Sequence, residues 1–118
     1  MLEKTITNGI IKALNASPRT RVWKRRSDGS DNNNGMPDIT GHYTHVLGPD
    51  YAIAVRIELE VKKPGEKPRK LQLSRLRRLK EEGAIAGWVT SVEEARKALD
   101  NAILALESRT VKKADTWE

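Results

Sequence analysis

Residues 52–62 have the sequence AIAVRIELEVK, in which two kinds of side chain alternate. The odd positions are all apolar, and the even positions end in Glu58, Glu60 and Lys62. Because successive side chains of a β-strand point to opposite faces, this period of two predicts a strand. One of its faces is apolar enough to join a core, and three charged side chains converge at the end of the other.

A second strand is predicted directly before it. Residues 38–46 are strand-like, and the tetrapeptide LGPD that follows has the Gly-Pro and Pro-Asp signals of a tight turn. If the two strands pair directly from the turn, Asp38 lies opposite Leu59, whereas a slip of one residue or a bulge places it opposite Glu60. Only the second register brings the two carboxylates together on one face.

Asp38 and Glu60 at such a distance, with Lys62 two residues beyond, would form part of a magnesium site. Carboxylate oxygens suit Mg²⁺ and Mn²⁺, and these ions accept phosphate oxygens as further ligands. A lysine can hold the attacking water or offset charge in the transition state, so the chemistry indicated is phosphodiester hydrolysis. The alternative is that the Glu-x-Lys sequence is a solvated ion pair, which is common on strand faces.

The order of these motifs resembles a known family. A Gly-x-Pro-Asp sequence ends at Asp38, Glu-x-Lys occupies residues 60–62, and a basic loop and a helical glutamine, Gln72, follow. This order is similar to that of the PD-(D/E)xK nucleases, specifically the virus-type replication-repair nuclease (VRR-Nuc) family, from residue 3 to about residue 106. The resemblance implies an α/β, restriction-endonuclease-like core, with a mixed sheet flanked by helices in the order αβββαβα, and a single domain over residues 1–106.

The resemblance also implies roles for individual residues. Asp38 and Glu60 would ligate Mg²⁺ or Mn²⁺, the backbone carbonyl of Val61 would complete the set, and Lys62 would activate or orient water. In the family an acidic residue of the first helix lies near the metals, which assigns Glu3 to the metal site.

The pattern around Glu3 leaves two interpretations open. Ile6, Ile10 and Leu14 recur at helical spacing in residues 2–14, and Glu3 projects onto the middle of this apolar stripe. A carboxylate there is explained by the metal site that the resemblance implies. It is also explained by the first turn of a helix, where an acid favours the helix dipole and reaches water.

Gln72 is the remaining site candidate. A helix that begins at about Pro68 has Leu76 and Leu79 on its buried stripe, and Gln72 lies between them in projection. A glutamine on a buried face must be hydrogen-bonded, most often to the backbone. Since the family has a glutamine at this point, we expect Gln72 to position Lys62 or a phosphate.

The charge balance indicates the kind of partner. The 118 residues include 22 Lys and Arg against 16 Asp and Glu, a net charge of +6, and the basic residues cluster around the predicted site. A basic surface favours a polyanion such as DNA. The residues that we expect to contact DNA phosphates are Arg25, Arg26, Lys63, Lys67, Arg69 and Lys70.

The rest of the chain is predicted to supply structure. The polar residues 25–35 form a loop that is either a mobile lip of the site or an ordinary surface loop. Residues 107–118 show no periodicity and are predicted to be a tail without regular structure. His42 and His45 are three apart on a strand, so they point to opposite faces, cannot chelate one ion and are expected at the surface. The further elements predicted are strands over residues 20–24 and 84–90 and a final helix after residue 91.

Stand-alone members of the family look like phage or prophage enzymes that act as homodimers on branched DNA, notably four-way (Holliday) junctions. The resemblance therefore implies that activity, in the cytoplasm of a bacterial host. The absence of cysteine and of any long apolar run agrees with an intracellular protein outside membranes. Two alternatives stay open: a restriction-like or nicking nuclease that acts on other DNA structures, and a non-catalytic, basic DNA-binding protein.

Overall fold

The computed structural model describes residues 2–26 and 35–116. Within these ranges no helix is long and apolar enough to cross a membrane. The elements follow one another as helix, three strands, helix, strand and helix, which is the order that the motifs implied. They are α1 (Glu3–Asn15), β1 (Thr20–Lys24), β2 (Ile39–Gly48), β3 (Tyr51–Val61), α2 (Lys70–Glu81), β4 (Ile85–Val89) and α3 (Val92–Thr116).

The four strands form one mixed sheet in the order β1-β2-β3-β4. Neighbours among β1, β2 and β3 are antiparallel, and β4 pairs with β3 in parallel. Because a tight turn cannot join parallel neighbours, the chain crosses from β3 to β4 through α2. The predicted α/β class, with a mixed sheet flanked by helices, is confirmed.

The alternation along β3 separates two sides of the sheet. Its odd residues Ile57, Leu59 and Val61 join the main core together with Ile10 of α1 and Leu99 of α3. Its even residues face the other side, where α2 lies over β3 and β4. The C-terminal half of β3 is therefore buried on both sides, including the side that holds its charged residues.

A bulge sets the register between β2 and β3. Val46 pairs with Ala52, and Gly48 pairs with Tyr51. Leu47 is therefore an extra residue of β2 with no partner in β3, and it shifts the ladder by one position. Direct pairing from the turn, the simpler of the two registers, is wrong.

The shifted register is the one that a two-carboxylate site requires. From the bulge the ladder runs on until Ile39 lies opposite Leu59. Continued by one residue, the same register sets Asp38 opposite Glu60.

The C-terminal tail differs from its prediction. The helix α3 runs to Thr116, so the backbone of residues 107–116 is helical and not irregular. A helix that has already formed extends one residue at a time at little cost, even where no apolar stripe marks its course. The last two residues of the predicted tail, 117 and 118, lie outside the described residues.

Two further predictions concern the surface. His45 is buried, and its ring centroid lies 6.3 Å from that of Tyr43, so the expectation of a surface position is wrong for this residue. Paired residues of β2 and β3 share a face of the sheet, and the side chain of His45 therefore lies on the face that the main core covers. The predicted loop lip falls mainly on residues 27–34, which lie outside the described residues.

Gly41 marks a close approach of β1 to β2. A Cβ at Gly41 would overlap the carbonyl oxygen of Arg21 and would lie 2.6 Å from the Cα of Val22. We expect Gly41→Ala to displace β1 and to lower the free energy of unfolding by about 1–3 kcal/mol, the usual cost of overpacking. Gly48→Ala is the matched control, because no described atom lies within 4 Å of its Cβ position. Urea unfolding measures both variants, and equal stabilities would contradict the tight contact.

Candidate functional site

Asp38 comes directly before β2, and its carboxylate bonds to the end of β3. The backbone N–H of Val61 donates to Asp38 Oδ2 at 3.0 Å. This bond holds the carboxylate beside Glu60, which precedes Val61 in sequence and lies opposite Asp38 by register. The structure therefore brings together the two carboxylates that the sequence singled out.

Glu60 is buried, at 2% exposure, but only one of its oxygens has partners. Gln72 Nε2 donates to Oε1 at 3.3 Å, and Lys62 Nζ lies 4.0 Å from the same oxygen. Within the described part of the chain, Oε2 accepts no hydrogen bond. A buried polar atom without a partner costs free energy, so Oε2 marks a place where a proton or a ligand would be held.

Burial raises the pKa of Glu60 to about 8. The next causes are the approach of the Asp38 carboxyl, with which Glu60 can form a hydrogen bond only when one of the two is protonated, and the negative charge of Asp38. The ammonium of Lys62 acts in the opposite direction, and the charge of Glu3 raises this pKa slightly further. The two carboxyls are thus a coupled pair that keeps a proton near neutral pH unless a cation takes its place.

Gln72 orients Glu60 because it is itself anchored. Its Oε1 accepts a hydrogen bond from the backbone N–H of Arg69 at 2.8 Å, at the start of α2. The amide NH₂ group is thereby left to donate to Glu60. The predicted contact was with Lys62 or a phosphate, and the observed contact is with the Glu60 carboxylate.

Glu58, two residues before Glu60 on the same face, is completely buried and fully bonded. Its Oε2 accepts from Arg25 Nη2 at 2.6 Å, and its Oε1 accepts from Thr40 Oγ1 and Arg56 Nε, both at 2.7 Å. Two guanidinium groups therefore neutralise this carboxylate. It is not available as a metal ligand and adds no uncompensated charge to the site.

Arg25 also holds the backbone of residues 37 and 38 in place, and so positions Asp38. Its Nε donates to the carbonyl oxygen of Pro37 at 3.0 Å, and its backbone N–H donates to the carbonyl oxygen of Asp38 at 2.7 Å. Together with the Glu58 ion pair, these bonds leave the Arg25 side chain only 20% exposed. The guanidinium that was predicted to contact a DNA phosphate thus also positions Asp38.

The other predicted residues lie around this centre. Glu3 is half-buried in the first turn of α1 and acts on Glu60 through its charge. Among the other residues predicted to contact phosphates, Lys63 is half-buried. The remaining four are exposed: Arg26, Lys67, Arg69 and Lys70. The exposed residues of this group can reach a ligand from solvent.

The donor set suits a hard divalent cation. Asp38, Glu60 and the carbonyl of Val61 offer only oxygen. Within residues 2–26 and 35–116 no third His, Cys, Asp or Glu side chain joins the two carboxylates, so the predicted place of Glu3 among the metal ligands is not found. Mg²⁺ is commonly bound by one or two carboxylates, with waters and substrate phosphates as its other ligands. The unpartnered oxygen of Glu60 is the atom that such an ion would satisfy.

Sequence reasoning missed the partners of Glu58. Arg56 was the accessible signal, because it lies two residues away on the same strand face. Arg25 and Thr40 become partners only through the β1–β2–β3 register, which the sequence left open.

Comparison with solved structures finds the same fold in another protein. The chain aligns with a structure titled "VRR_NUC domain protein" with a TM-score of 0.52 and 14% identity, over 92% of this chain and 87% of that one. At this identity the likeness shows the fold, and it agrees with the family that the motif order resembles. No family model matches the sequence, and no curated protein matches it.

Glu60→Gln should stabilise the metal-free protein at pH 8 and flatten the dependence of its stability on pH. Between the unfolded pKa of 4.5 and the folded pKa of about 8, the native state holds a proton that the unfolded state lacks. The free energy of unfolding contributed by this group therefore falls as the pH rises through that window. Thermal unfolding in chelator from about pH 5 to pH 8 should show a steeper fall for the wild type than for the variant.

Glu58→Gln is the matched control on the same strand face. It should destabilise the protein because it leaves two arginines without their counter-ion. We expect a loss of about 2 kcal/mol, below the 3–5 kcal/mol of fully buried pairs, because the Arg56 side chain is 49% exposed. If both substitutions shift the melting temperature in the same direction at pH 8, the division between a structural Glu58 and a site Glu60 is wrong.

Proposed function

We propose that this protein is a metal-dependent endonuclease that hydrolyses phosphodiester bonds in DNA. The observation that supports the proposal is the pair of the half-buried Asp38 and the buried Glu60, which has an oxygen without a hydrogen-bond donor and lies next to Lys62. Such a pair does not stabilise a core, since well-packed apolar residues would serve there at least as well. Two carboxylates with a cationic side chain in reach are the groups that phosphoryl transfer uses.

Asp38, Glu60 and the carbonyl of Val61 would hold Mg²⁺ or Mn²⁺. When bound, the ion supplies a Lewis acid for a phosphate oxygen and lowers the pKa of a coordinated water. Gln72 and the Val61 N–H each engage one carboxylate oxygen, so both carboxylates are held in place before a substrate arrives. Glu3 does not group with these two carboxylates among the described residues, so it is not part of the proposed ligand set, although its charge acts on Glu60.

Lys62 has a separate role in the proposal. Its ammonium lies 4.0 Å from Glu60 Oε1, and its side chain is 15% exposed. It would donate a hydrogen bond to the attacking water or to a non-bridging phosphate oxygen. That contact offsets negative charge while the bond from water oxygen to phosphorus forms and the bond to the leaving oxygen breaks. The exposed basic residues at the start of α2 would contact phosphates and so set the position of the DNA without reading its sequence.

Glu60→Gln and Lys62→Ala should each slow cleavage by roughly 100-fold or more, about 2.7 kcal/mol in transition-state free energy. Each change removes a group from the proposed reacting centre and leaves the main core intact. The measurement is the initial cleavage rate of labelled DNA with Mg²⁺ or Mn²⁺. Glu66→Gln and Lys80→Ala remove the same charges at exposed positions and should cut at wild-type rates.

The requirement for a metal ion can be tested separately by thermal unfolding. Mg²⁺ or Mn²⁺ should raise the melting temperature of the wild type much more than that of Glu60→Gln, because the ion binds the native site. Near-normal cleavage by either site variant, or equal cleavage in chelator, would reject the site. A protein that binds DNA and never cuts it would favour the non-catalytic alternative.

We also propose that the substrate is branched DNA, notably a four-way junction, and that a homodimer cuts it. One chain has one candidate site and cuts one strand, whereas resolution needs two cuts related by the two-fold symmetry of the junction. The support for this step is the resemblance of the motifs, whereas the likeness to the VRR_NUC domain protein supports the fold alone.

Mixed dimers of wild type and Lys62→Ala should give mainly single nicks in a junction, because each dimer would then contain one working site. Light scattering gives the solution mass, and gel electrophoresis counts the cuts per junction. A monomer that makes paired, symmetric cuts would contradict the dimer. A monomer that nicks flaps or linear duplexes would favour the restriction-like or nicking alternative.

A further inference from the structure

Trp23 is exposed on the face of the sheet that holds the candidate site. Its exposure is 48%, and it pairs with Thr40 of β2, which in turn pairs with Glu58 of β3. Paired residues share a face, and adjacent strands are about 4.8 Å apart, so the Cα of Trp23 lies about 12 Å from that of Glu60. The indole is therefore within a few nucleotides of the proposed reacting centre.

The indole has a neighbour that orients it. The ring centroid of His42 lies 6.4 Å from that of Trp23, and the planes meet at 74° in an edge-to-face contact. The helix α2 lies over β3 and β4, and none of the described elements covers β1 and β2 on this side. An exposed ring that is already oriented can stack on a flat ligand with little loss of rotamer freedom.

The charges around Trp23 are mainly positive. Arg21 is exposed on the same face of β1, and Arg25 and Arg56 lie further across the sheet. The acidic groups among the described residues there are Glu58, which both Arg25 and Arg56 bind, and Asp38, which lies beside Arg25, so the three arginines outnumber the carboxylates. This combination of aromatic surface and excess positive charge is complementary to nucleic acid.

We propose that Trp23 stacks on an unpaired base of the DNA substrate while Arg21 contacts an adjoining phosphate. The inference rests on the proposed function and specifies its substrate class. At about 3.4 Å per nucleotide, 12 Å corresponds to an unpaired base within about four nucleotides of the cut phosphate. In an intact duplex the faces of the bases are covered by their neighbours, so the surface selects branched, tailed or gapped DNA.

A second copy of this chain is the competing occupant of the surface. A two-fold contact there would bring the same arginines together across the axis, which is unfavourable. The edge of β1 is also partly closed, because the Asn15 side chain accepts from the N–H of Val22 at 2.8 Å and donates to its carbonyl at 2.9 Å. Both observations favour a nucleic acid.

Two matched duplexes, one blunt and one with a short thymidine tail, test the inference in the absence of metal. Trp23→Leu should weaken binding of the tailed duplex by about 5- to 100-fold, the range for one lost base stack, and should change blunt-duplex binding by less than about twofold. Trp23→Phe keeps a flat ring and should retain most of the affinity. Tyr51→Leu is the control, because it removes a 63% exposed aromatic ring at the opposite end of β3. Fluorescence anisotropy gives each Kd.

A measurement on the wild type does not depend on the folding of any variant. 5-Bromouracil in the tail should photo-cross-link to β1. Cross-links elsewhere, or equal weakening of both duplexes by Trp23→Leu, would overturn the inference, as would a halved solution mass of that variant, which would identify a dimer contact. Cleavage of the tailed duplex by the wild type with Mg²⁺ is scored separately. Tail-specific binding that depends on Trp23, without cleavage of either the tailed duplex or a four-way junction, would reject the proposed nuclease and leave the stacking surface in place.

Discussion

The buried carboxylate of Glu58 is hydrogen-bonded to residues of three neighbouring chain segments, and the geometry of the site depends on these bonds. Its partners are Arg25, the residue directly after β1, Thr40 in β2 and Arg56 in β3 itself. A buried charge that loses its partners is strongly destabilising, and a sheet in any other register would leave Glu58 without Arg25 and Thr40. Because Arg25 also bonds the backbone that presents Asp38, the same ion pairs fix one half of the carboxylate site.

Glu60 shows the opposite behaviour on the same strand face. It is nearly as buried as Glu58, yet one of its oxygens is unpartnered and its nearest cation, Lys62, is 4.0 Å away. Two glutamates that are two residues apart thus differ in how completely the fold satisfies them. Proteins tolerate such local conflict mainly where a site uses it, and a strongly raised carboxyl pKa in the same place is a common mark of function.

Much of the fold followed from local patterns in the sequence, and the details of the site did not. The period of two in residues 52–62 and the order of motifs predicted the central strand, the hairpin and the element order. The register depended on Leu47, an unpaired residue that no periodicity marks, and so the sequence left two pairings open. The distinction between Glu58 and Glu60 was also hidden, because it depends on partners from other strands.

The helices, like the strands, were predicted in part from local patterns in the sequence. Gln72 was found because a polar residue on a buried stripe breaks an expected pattern, and its position beside Glu60 agrees with that signal. The end of α3 was misplaced by ten residues, from Leu106 to Thr116, because continuation of a formed helix needs no apolar repeat. Patterns therefore located the groups that must be buried, whereas geometry across strands was needed to assign what each buried group does.

If the proposed site takes up a cation, the burial of Glu60 would couple that uptake to proton release. A carboxyl with a pKa of about 8 is largely protonated in neutral solution, so a cation that binds it must displace about one proton. The heat of binding measured by calorimetry would then vary with the ionisation enthalpy of the buffer, and the apparent affinity would weaken as the solution becomes more acidic. For the proposed nuclease, mild acid and a chelator would have the same effect: both would leave the site without its ion.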